Sequence, residues 1–531
     1  MQKRDSLRVG RRKVLGGIAA TSLALATGSF SIGATKVAFA AEGKRLRFSI
    51  TDPRDPSLDP GSILGGTSVI ISLCLYEGLV GFEPANADAN GVVRNALFDQ
   101  LAIAFKSSND GLRHDFTLKE GVQFHRGYGE LTAEDVKFSF ERIAGLTGEK
   151  LAFADDWGAL DHVEVRDRYS GTIVLKTPYA PLLGTTLPWM VGFVAPRRAI
   201  EELGSQFGLN PVGTGPYEWV EFAPQQRVLL RKFSGWHGKN TPEFEEIEFV
   251  WVRDNGAQEI ALASGDIDVG RLPISSIGRF ESDSAFAVHR ALSLDQIWLG
   301  MNLSSPIFKN EILREAIRYG VDVPSIIEGA YEGRFTQATG SIAPGMPIGY
   351  WQDAPVYERD VARAKNLVEQ ANADGAMIRL AIPRDDTLRL VAEIVQANLS
   401  EIGLQIEIDI RSDLVSLGAK ARELEMFIGS FTAVPPDPTW ATQWWRCSGF
   451  DKYNWMYWCD AEYDRLDIEG TRELDPAKRA ALYIEGQKRW DEAKHTVWLA
   501  WPSVFVATRA DVEVFWVNSA PHLPSFRRKN S

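Results

Sequence analysis

Residues 112–142 read LRHDFTLKEGVQFHRGYGELTAEDVKFSFER, and this stretch predicts a hairpin followed by a helix. Apolar and polar residues alternate in two short runs between Phe116 and Phe124, and a turn that contains Gly121 separates the runs. Thr132 then stands three residues before an aspartate and ahead of an apolar pattern, which is typical of a capped helix start. The stretch therefore predicts both kinds of secondary structure within one short segment.

Two features resemble chemical motifs and are interpreted as structural. His125 is expected at the surface or half-buried in a turn, and not as a metal ligand or acid/base group. Gly213-Thr214-Gly215 lacks the third glycine and the Lys-Ser/Thr pair of a phosphate-binding loop, and Pro216 follows it without a backbone donor. We expect this segment to be a structural turn.

The stretch at 112–142 resembles the diagnostic block of the family 5 extracytoplasmic solute-binding proteins, which are the oligopeptide and dipeptide receptors of ABC importers. Further blocks that are similar to the family follow in its usual order and span most of the chain. They are Leu58–Pro60, Leu75–Leu79, Pro211–Tyr217, Leu262–Asp268, Met301–Leu303 and Leu313–Ile317. The resemblance implies a protein that captures a small solute and delivers it without breaking a bond.

Strand-like and helix-like segments alternate along the chain without internal repeats, so the fold class is mixed α/β. The resemblance implies a two-lobed periplasmic-binding-protein fold of the large peptide-receptor type. The first lobe would take residues 41–298 with an inserted subdomain at about 81–212, the second lobe 299–499, and residues 500–531 would return to the first lobe. Solute would lie between the lobes and be buried by a hinge motion.

Residues 1–40 have the pattern of an export signal: a basic start, a diluted apolar stretch at 14–34, and a small-residue site at Ala38–Ala40. Residues 10–15 (GRRKVL) resemble the twin-arginine signal, although glycine replaces the usual Ser or Thr and valine the favoured Phe. The general secretory route stays open. No cysteine lies near the cleavage site, so we expect a periplasmic protein cleaved near Ala40 and without a lipid anchor.

Charge and length narrow the choice of partners. The chain has a net charge of −12, and removal of residues 1–40, with seven basic residues and one acidic residue, makes it −18. Nucleic acid and anionic lipid are therefore poor partners. No stretch after the signal is long and apolar enough to cross a bilayer, so the permease and its cytoplasmic ATPases must be other chains. The expected assembly is a monomer without a cofactor.

The chain has three cysteines. Cys447 and Cys459 are the plausible disulfide pair in an oxidising compartment, because twelve positions separate them. A zinc site is the alternative, but two cysteines without a nearby histidine leave too few ligands, and no metal is expected. Cys74 lies in an apolar run and is expected to be a buried free thiol.

Residues 434–440 (VPPDPTW) resemble a segment of the second lobe in which dipeptide- and oligopeptide-binding members hold the α-ammonium group of the ligand with an aspartate. Asp437 matches that aspartate. The alternative is an ordinary turn residue flanked by prolines. On the ligand interpretation, Asp437→Ala would weaken peptide binding and leave the melting temperature of the ligand-free protein nearly unchanged.

Residues 381–386 (AIPRDD) resemble the strand end at which dipeptide-binding members place an arginine for the ligand carboxylate. Arg384 matches it, and a guanidinium can meet a carboxylate through two parallel hydrogen bonds. The alternative is that Asp385 or Asp386 simply pairs with Arg384 on the surface.

Aromatic residues crowd the segment that follows Asp437, and Trp440 is a further candidate for ligand contact. Most of the cluster is expected to pack in the core, with Trp440 and Trp444 at helical spacing, and the remainder to line the pocket. Apolar walls suit peptides and flat rings suit sugars. The ligand is therefore expected to be a short peptide, with an opine, a sugar conjugate, glutathione or a nickel chelate as alternatives that related members bind.

A hydrolase is the remote alternative. The chain has no H-E-x-x-H, G-x-S-x-G or C-x-x-C motif, and its seven histidines are scattered without ligand spacing. A facing pair of carboxylates cannot be recognised in a linear sequence. We therefore expect a receptor and not an enzyme.

Overall fold

The computed structural model describes residues 44–50, 57–63, 65–413, 417–431 and 435–529. The expected export signal and its cleavage site lie outside these residues. The described residues belong to one compact unit.

Strands form two large sheets and several small ones. The strands are β1 (Arg45–Ile50), β2 (Val80–Phe82), β3 (Leu97–Asp99), β4 (Ala102–Ser107), β5 (Arg113–Leu118), β6 (Leu160–Asp167), β7 (Ser170–Leu175), β8 (Tyr217–Ala223), β9 (Arg227–Lys232), β10 (Glu246–Trp251), β11 (Val269–Arg271), β12 (Phe286–Leu292), β13 (Gln296–Met301), β14 (Thr336–Gln337), β15 (Met377–Pro383), β16 (Gln405–Arg411), β17 (Met426–Phe431), β18 (Thr496–Trp501), β19 (Ser503–Arg509), β20 (Val512–Glu513), β21 (Trp516–Val517), β22 (Ala520–Pro521) and β23 (Arg527–Arg528).

Helices cover the faces of these sheets. The α-helices of the described residues are α1 (Gly66–Leu75), α2 (Ala133–Ile143), α3 (Arg197–Leu203), α4 (Asn255–Ser264), α5 (Ile274–Glu281), α6 (Glu311–Gly320), α7 (Val323–Tyr331), α8 (Val361–Gln370), α9 (Asp386–Glu401), α10 (Pro438–Thr442), α11 (Ala461–Arg472) and α12 (Pro476–Glu492). None of them is long and apolar enough to cross a membrane.

The first large sheet has seven strands in the order β12-β19-β11-β1-β10-β9-β8. Its central strand β1 runs parallel to β10, so Phe48 pairs with Phe249 and their rings lie 5.8 Å apart. Leu46, Phe48 and Ile50 are all buried and alternate along β1. This period of two is what a strand with one face on a core requires.

The second large sheet has six strands in the order β14-β18-β13-β17-β15-β16. Every residue of its central strand β13 is buried, because helices and neighbouring elements cover both faces. The core around this sheet is separate from the core around the first sheet. We call the elements around the first sheet the first lobe and those around the second sheet the second lobe.

The chain passes between the two sheets twice. It leaves the first sheet after Leu292 and joins the second at Gln296, and it returns at Pro502 between β18 and β19. The lobe limits at 298 and 499 fall inside β13 and β18, so the exchange between sheets lies slightly outside the expected segment. The mixed α/β class and the two-lobed arrangement are both present.

The opening stretch contributes strand β5 to a smaller four-stranded sheet of order β4-β5-β7-β6, within residues 81–212. The predicted hairpin was wrong in its second half: residues 122–124 form no strand, and Gln123 makes only an isolated bridge with Glu130. The reason is that β4 and β7 already occupy both edges of β5. The predicted helix start is confirmed, because α2 begins after Thr132, whose backbone N donates to Asp135 Oδ2 at 3.0 Å.

His125 is fully buried, so its expected place at or near the surface was wrong. Its Nδ1 accepts a hydrogen bond from Gly213 N at 3.2 Å, and its Nε2 donates to Gly215 O at 3.0 Å. Burial lowers its pKa to about 4, which keeps the ring neutral as this pairing requires. Gly213 also packs against the chain so closely that a Cβ there would lie 2.1 Å from Leu75 O. The Gly-Thr-Gly segment is therefore a structural turn held by His125.

Cys74 is a buried free thiol, as predicted. Burial raises its pKa well above the ordinary range, so the thiol stays protonated and unreactive.

Candidate functional site

Helix α10 begins at the segment that was predicted to contact solute. Asp437 immediately precedes the helix, and its Oδ1 accepts a hydrogen bond from Thr439 N at 3.0 Å. Pro438 occupies the first helical position, where its missing N–H leaves no hydrogen bond unmade. The carboxylate is 4% exposed and fixed in position by this cap.

Arg479 in α12 neutralises Asp437. Its Nη1 donates to Oδ2 at 2.6 Å and its Nη2 to Oδ1 at 2.7 Å, which is a two-pronged ion pair. Arg479 is 5% exposed, and its Nε donates to Gly470 O at 2.7 Å. Burial lowers the pKa of Arg479, but the attraction of Asp437 outweighs this effect and raises the pKa above its ordinary value. Arg479 was not predicted from the sequence, because it stands 42 positions after its partner.

The first lobe contacts the second lobe beside Asp437. Ala180 N in the first lobe donates to Thr471 O in the second lobe at 2.8 Å. Gly184 faces the carboxylate directly, since a Cβ on it would lie 3.4 Å from Oδ2 of Asp437. Asp437 therefore lies where both lobes meet, which is where a solute must be held if its binding is to drive closure.

A second buried carboxylate, Asp156, lies on the first-lobe side of this contact. It belongs to the 3-10 turn Ala154–Trp157 and is 7% exposed. Its backbone O accepts a hydrogen bond from Thr186 Oγ1 at 3.4 Å, which ties the turn to the segment that carries Gly184. Burial, followed by the charge of Asp155, raises the pKa of Asp156 to about 7. Asp156 was not predicted from the sequence, where no motif marks it.

Tyr179 lies close to both carboxylates. The pKa of its phenol is raised first by burial, and then by the negative charges of Asp156 and Asp437. Coulomb interactions weaken with distance, so a tyrosine that is affected by both charges lies near both. The ring of Phe153, just before the turn that carries Asp156, lies 6.4 Å from the ring of Trp440 on the helix that Asp437 caps, so these two elements meet at the contact between the lobes.

Trp440 lies at this contact between the lobes. It is 9% exposed, and its ring lies 6.4 Å from the ring of Phe153 in the first lobe. Trp444 packs against it at 5.7 Å and donates from its Nε1 to Trp440 O at 2.7 Å. The structure thus brings Trp440 and Asp437 together on one short helix.

Other aromatic residues of this segment pack into the second lobe. Trp445, Trp455 and Trp458 are buried, and Trp445 packs edge-on against Trp298 of β13 at 5.1 Å. Tyr453 is the exposed exception, at 49%. The prediction that most of the cluster is core agrees with this packing.

Arg384 lies apart from these residues, between β15 and α9, and its side chain is exposed. Its neighbour Asp385 caps α9 by accepting a hydrogen bond from Leu388 N at 2.8 Å. Within the described residues Arg384 makes no hydrogen bond or ion pair, so surface pairing with Asp385 or Asp386 is not observed.

Cys447 and Cys459 are joined by a disulfide, with their Cα atoms 4.7 Å apart. The closed loop follows α10 almost directly, and Cys447 N donates to Asp464 Oδ1 in α11 at 3.1 Å. In the chain-entropy model, closing a loop of this size stabilises the fold by about 3 kcal/mol. The disulfide therefore helps to fix the second-lobe side of the site.

No group of three or more His, Cys, Asp or Glu side chains that could hold a metal ion occurs in the described part of the chain.

A family model described as "bacterial extracellular solute-binding proteins, family 5, middle" matches residues 97–452. Among curated relatives, a glutathione-binding protein of Shigella flexneri is 24% identical over 453 residues, which cover 82% of this chain and 85% of the relative.

Solved structures show the same fold. The periplasmic binding protein DppA of Helicobacter pylori, in complex with the peptide STSA, matches with a TM-score of 0.79 and 23% identity, covering 92% of this chain and 98% of that one. The binding protein MoaA of A. tumefaciens R10, in complex with mannopinic acid, matches with a TM-score of 0.78 and 22% identity, covering 92% and 100% of the two chains. With two thirds of its length matched by the family model, the chain belongs to family 5 of the bacterial extracellular solute-binding proteins.

Proposed function

We propose that this protein is the periplasmic receptor of an ABC importer and that it captures a short peptide, or a peptide-like molecule with both an amino group and a carboxylate, between its two lobes. The observation that carries the proposal is the position of Asp437 at the contact between lobes, with Oδ2 directed toward Gly184. Delivery would use permease subunits and cytoplasmic ATPases in other chains, and export would use residues 1–40.

Asp437 can still accept a hydrogen bond from a solute. An ionised carboxylate has about four acceptor sites on its two oxygens. Thr439 N and Arg479 Nη2 both bind Oδ1, whereas Oδ2 accepts only from Arg479 Nη1 among the described residues. An α-ammonium group that enters beside Gly184 would find the remaining acceptor site of Oδ2.

Two arginines are candidates for the carboxylate of the solute. Arg384 is exposed in the second lobe, and Arg271 ends β11 in the first lobe. The side chain of Arg271 is exposed, and its pKa is lowered by burial of its surroundings against the opposing effect of the negative charge of Asp295. Neither guanidinium makes a hydrogen bond or an ion pair with the described residues.

The ligand classes of related proteins share this chemistry. A peptide and glutathione each carry an ammonium and a carboxylate, and an opine such as mannopinic acid carries an amine and carboxylates. A charge-assisted hydrogen bond to each group contributes roughly 1.5–3 kcal/mol. A short peptide places the two groups at opposite ends, so one residue can hold the ammonium group while another holds the carboxylate.

Native mass spectrometry of protein taken from the periplasm without refolding tests the proposal. A set of released masses that fragment as short peptides would support it, and the peptides should be recovered intact, since a receptor does not hydrolyse them. One sharp mass of an opine, glutathione or a metal chelate would replace the peptide as the ligand and leave the receptor function of the family in place. Release of cleaved peptides that depends on one carboxylate would overturn the receptor function.

The carboxylate contact is tested with tripeptides that end in a free acid or an amide. The parent should bind the free acid more tightly. The substitution that removes this preference, Arg384→Met or Arg271→Met, identifies the arginine that holds the carboxylate, and the other variant serves as its control. A preference that survives in both variants would contradict both assignments.

A further inference from the structure

Asp156 is a carboxylate that the fold buries without giving it a partner. It is 7% exposed, and its two carboxylate oxygens accept no hydrogen bond and form no ion pair with any residue that the structure describes. Neither oxygen is fully enclosed, because the buried polar atoms without partners do not include them. The small remaining exposure therefore lies at the carboxylate, which faces a space that water can enter.

The groups around Asp156 do not neutralise it. Asp155 on the same turn is acidic, and it adds to the cost of ionising Asp156. Tyr179 from the facing segment is affected by both Asp156 and Asp437. Arg479, the cation that pairs with Asp437, uses both of its terminal nitrogens for that pair. Within the described residues, Asp156 therefore has a negative neighbour and no cation that neutralises it.

Such an arrangement is costly in an empty protein. A buried ion without a partner loses its hydration and gains nothing in return, and either its pKa shifts or a cation fills the space. A purely structural carboxylate would have a donor from a neighbouring side chain or backbone, as Asp437 does. Asp156 lacks one, and it lies at the contact between the lobes where a solute would be enclosed.

We propose that Asp156 binds the cationic group of the transported solute from the first lobe, opposite Asp437 in the second lobe. The inference rests on the proposed function and adds a contact to it: the cationic group of the solute is held by a carboxylate of the first lobe as well as by Asp437. A solute held by one carboxylate from each lobe binds the closed form more tightly than the open form, which is the condition for ligand-driven closure.

The test compares Asp156→Asn with the matched control Asp155→Asn, whose parent side chain is exposed on the same turn. The probe is an equimolar pool of free dipeptides and tripeptides together with their N-acetylated forms, glutathione, mannopinic acid and neutral disaccharides, read out by native mass spectrometry. The parent should retain members with a free amino group. Asp156→Asn should bind them at least tenfold more weakly, and Asp155→Asn should bind them like the parent.

The outcomes separate this inference from the proposed function. Equal binding of amino-bearing members by Asp156→Asn and the parent would overturn the role of Asp156 and leave the receptor intact. Retention of only acetylated or neutral members by the parent would overturn the cationic solute class. Retention of no member of the pool would contradict the proposed function itself, and the inference with it. The asparagine variant should melt no lower than the parent at pH 8, so that loss of binding is not loss of folding.

Discussion

The two carboxylates at the contact between lobes differ in what surrounds them. Asp437 caps a helix and pairs with Arg479, and Trp440 and a nearby disulfide help to fix that helix. Asp156 is equally buried, but no described side chain pairs with it. A buried charge that is satisfied within the chain fixes a shape, whereas one left unsatisfied at a contact between lobes is available to a solute.

The largest expected effect comes from breaking the satisfied pair. Arg479→Met keeps most of the side-chain volume but leaves Asp437 buried without its partner. Removal of one member of a buried ion pair typically lowers the free energy of unfolding by about 3–5 kcal/mol. Chemical denaturation of the ligand-free protein measures this loss.

Lys478→Met, at the exposed neighbouring position, is the matched control and should unfold like the parent. Adding Asp437→Asn to Arg479→Met should recover part of the loss, because no uncompensated charge then remains. Arg479→Met with parental stability would show that the ion pair does not hold the second-lobe face.

A smaller effect of opposite sign is expected at Asp156. Its pKa in the folded protein is about 7, against an ordinary value of 3.8, so the folded state holds this proton more tightly than the unfolded state. The resulting stability is fully present below pH 4 and is lost as the pH rises through 7. Asp156→Asn avoids that loss. At pH 8 its free energy of unfolding should exceed that of the parent by about 1–3 kcal/mol.

The difference between Asp156→Asn and the parent should shrink as the pH falls toward 4, and thermal unfolding at several pH values measures it. Asp155→Asn should track the parent more closely throughout. A destabilised Asp156→Asn at pH 8 would mean that Asp156 has a stabilising partner after all, and the contrast with Asp437 would disappear.

The smallest effect on stability is expected at Gly184, the first-lobe residue that lies against Asp437. A Cβ there would make an ordinary contact with Asp437 Oδ2 at 3.4 Å, so Gly184→Ala should change the free energy of unfolding by less than about 1 kcal/mol. It should nevertheless fill the space through which an ammonium reaches Oδ2, and weaken peptide binding severalfold. Gly278→Ala in α5, where a Cβ meets no atom, is the control for affinity. Unchanged affinity in Gly184→Ala would place the amino group elsewhere.

Local patterns in the sequence predicted local structure well. The start of α2 at Thr132 could be predicted because its capping partner, Asp135, lies only three residues later in the sequence. The second strand of the hairpin failed because β4 and β7, whose pairing no local pattern reveals, compete for β5. His125 failed for a similar reason, since the Gly213–Gly215 turn that buries it lies 88 positions away.

Only some residues of the candidate site could be predicted from the sequence. Asp437 could be found by resemblance, but its ion pair with Arg479 could not, and this pair now predicts a lower melting temperature for Asp437→Ala than the nearly unchanged value first expected. Asp156 carries no motif, and nothing in the sequence distinguishes it from Asp155. Only burial separates the two, and burial is a property of the folded chain.

The strand order of the first sheet also sets the order in which the protein can fold. Strand β19 is inserted between β11 and β12, so among the described residues β12 pairs with the sheet through β19 alone, a strand near the end of the chain at Ser503–Arg509. Until that strand arrives, the edges of β11 and β12 expose unpaired backbone groups, which are sites of aggregation. Folding of the first lobe is therefore dominated by a contact between distant parts of the chain and must follow synthesis of almost the whole polypeptide.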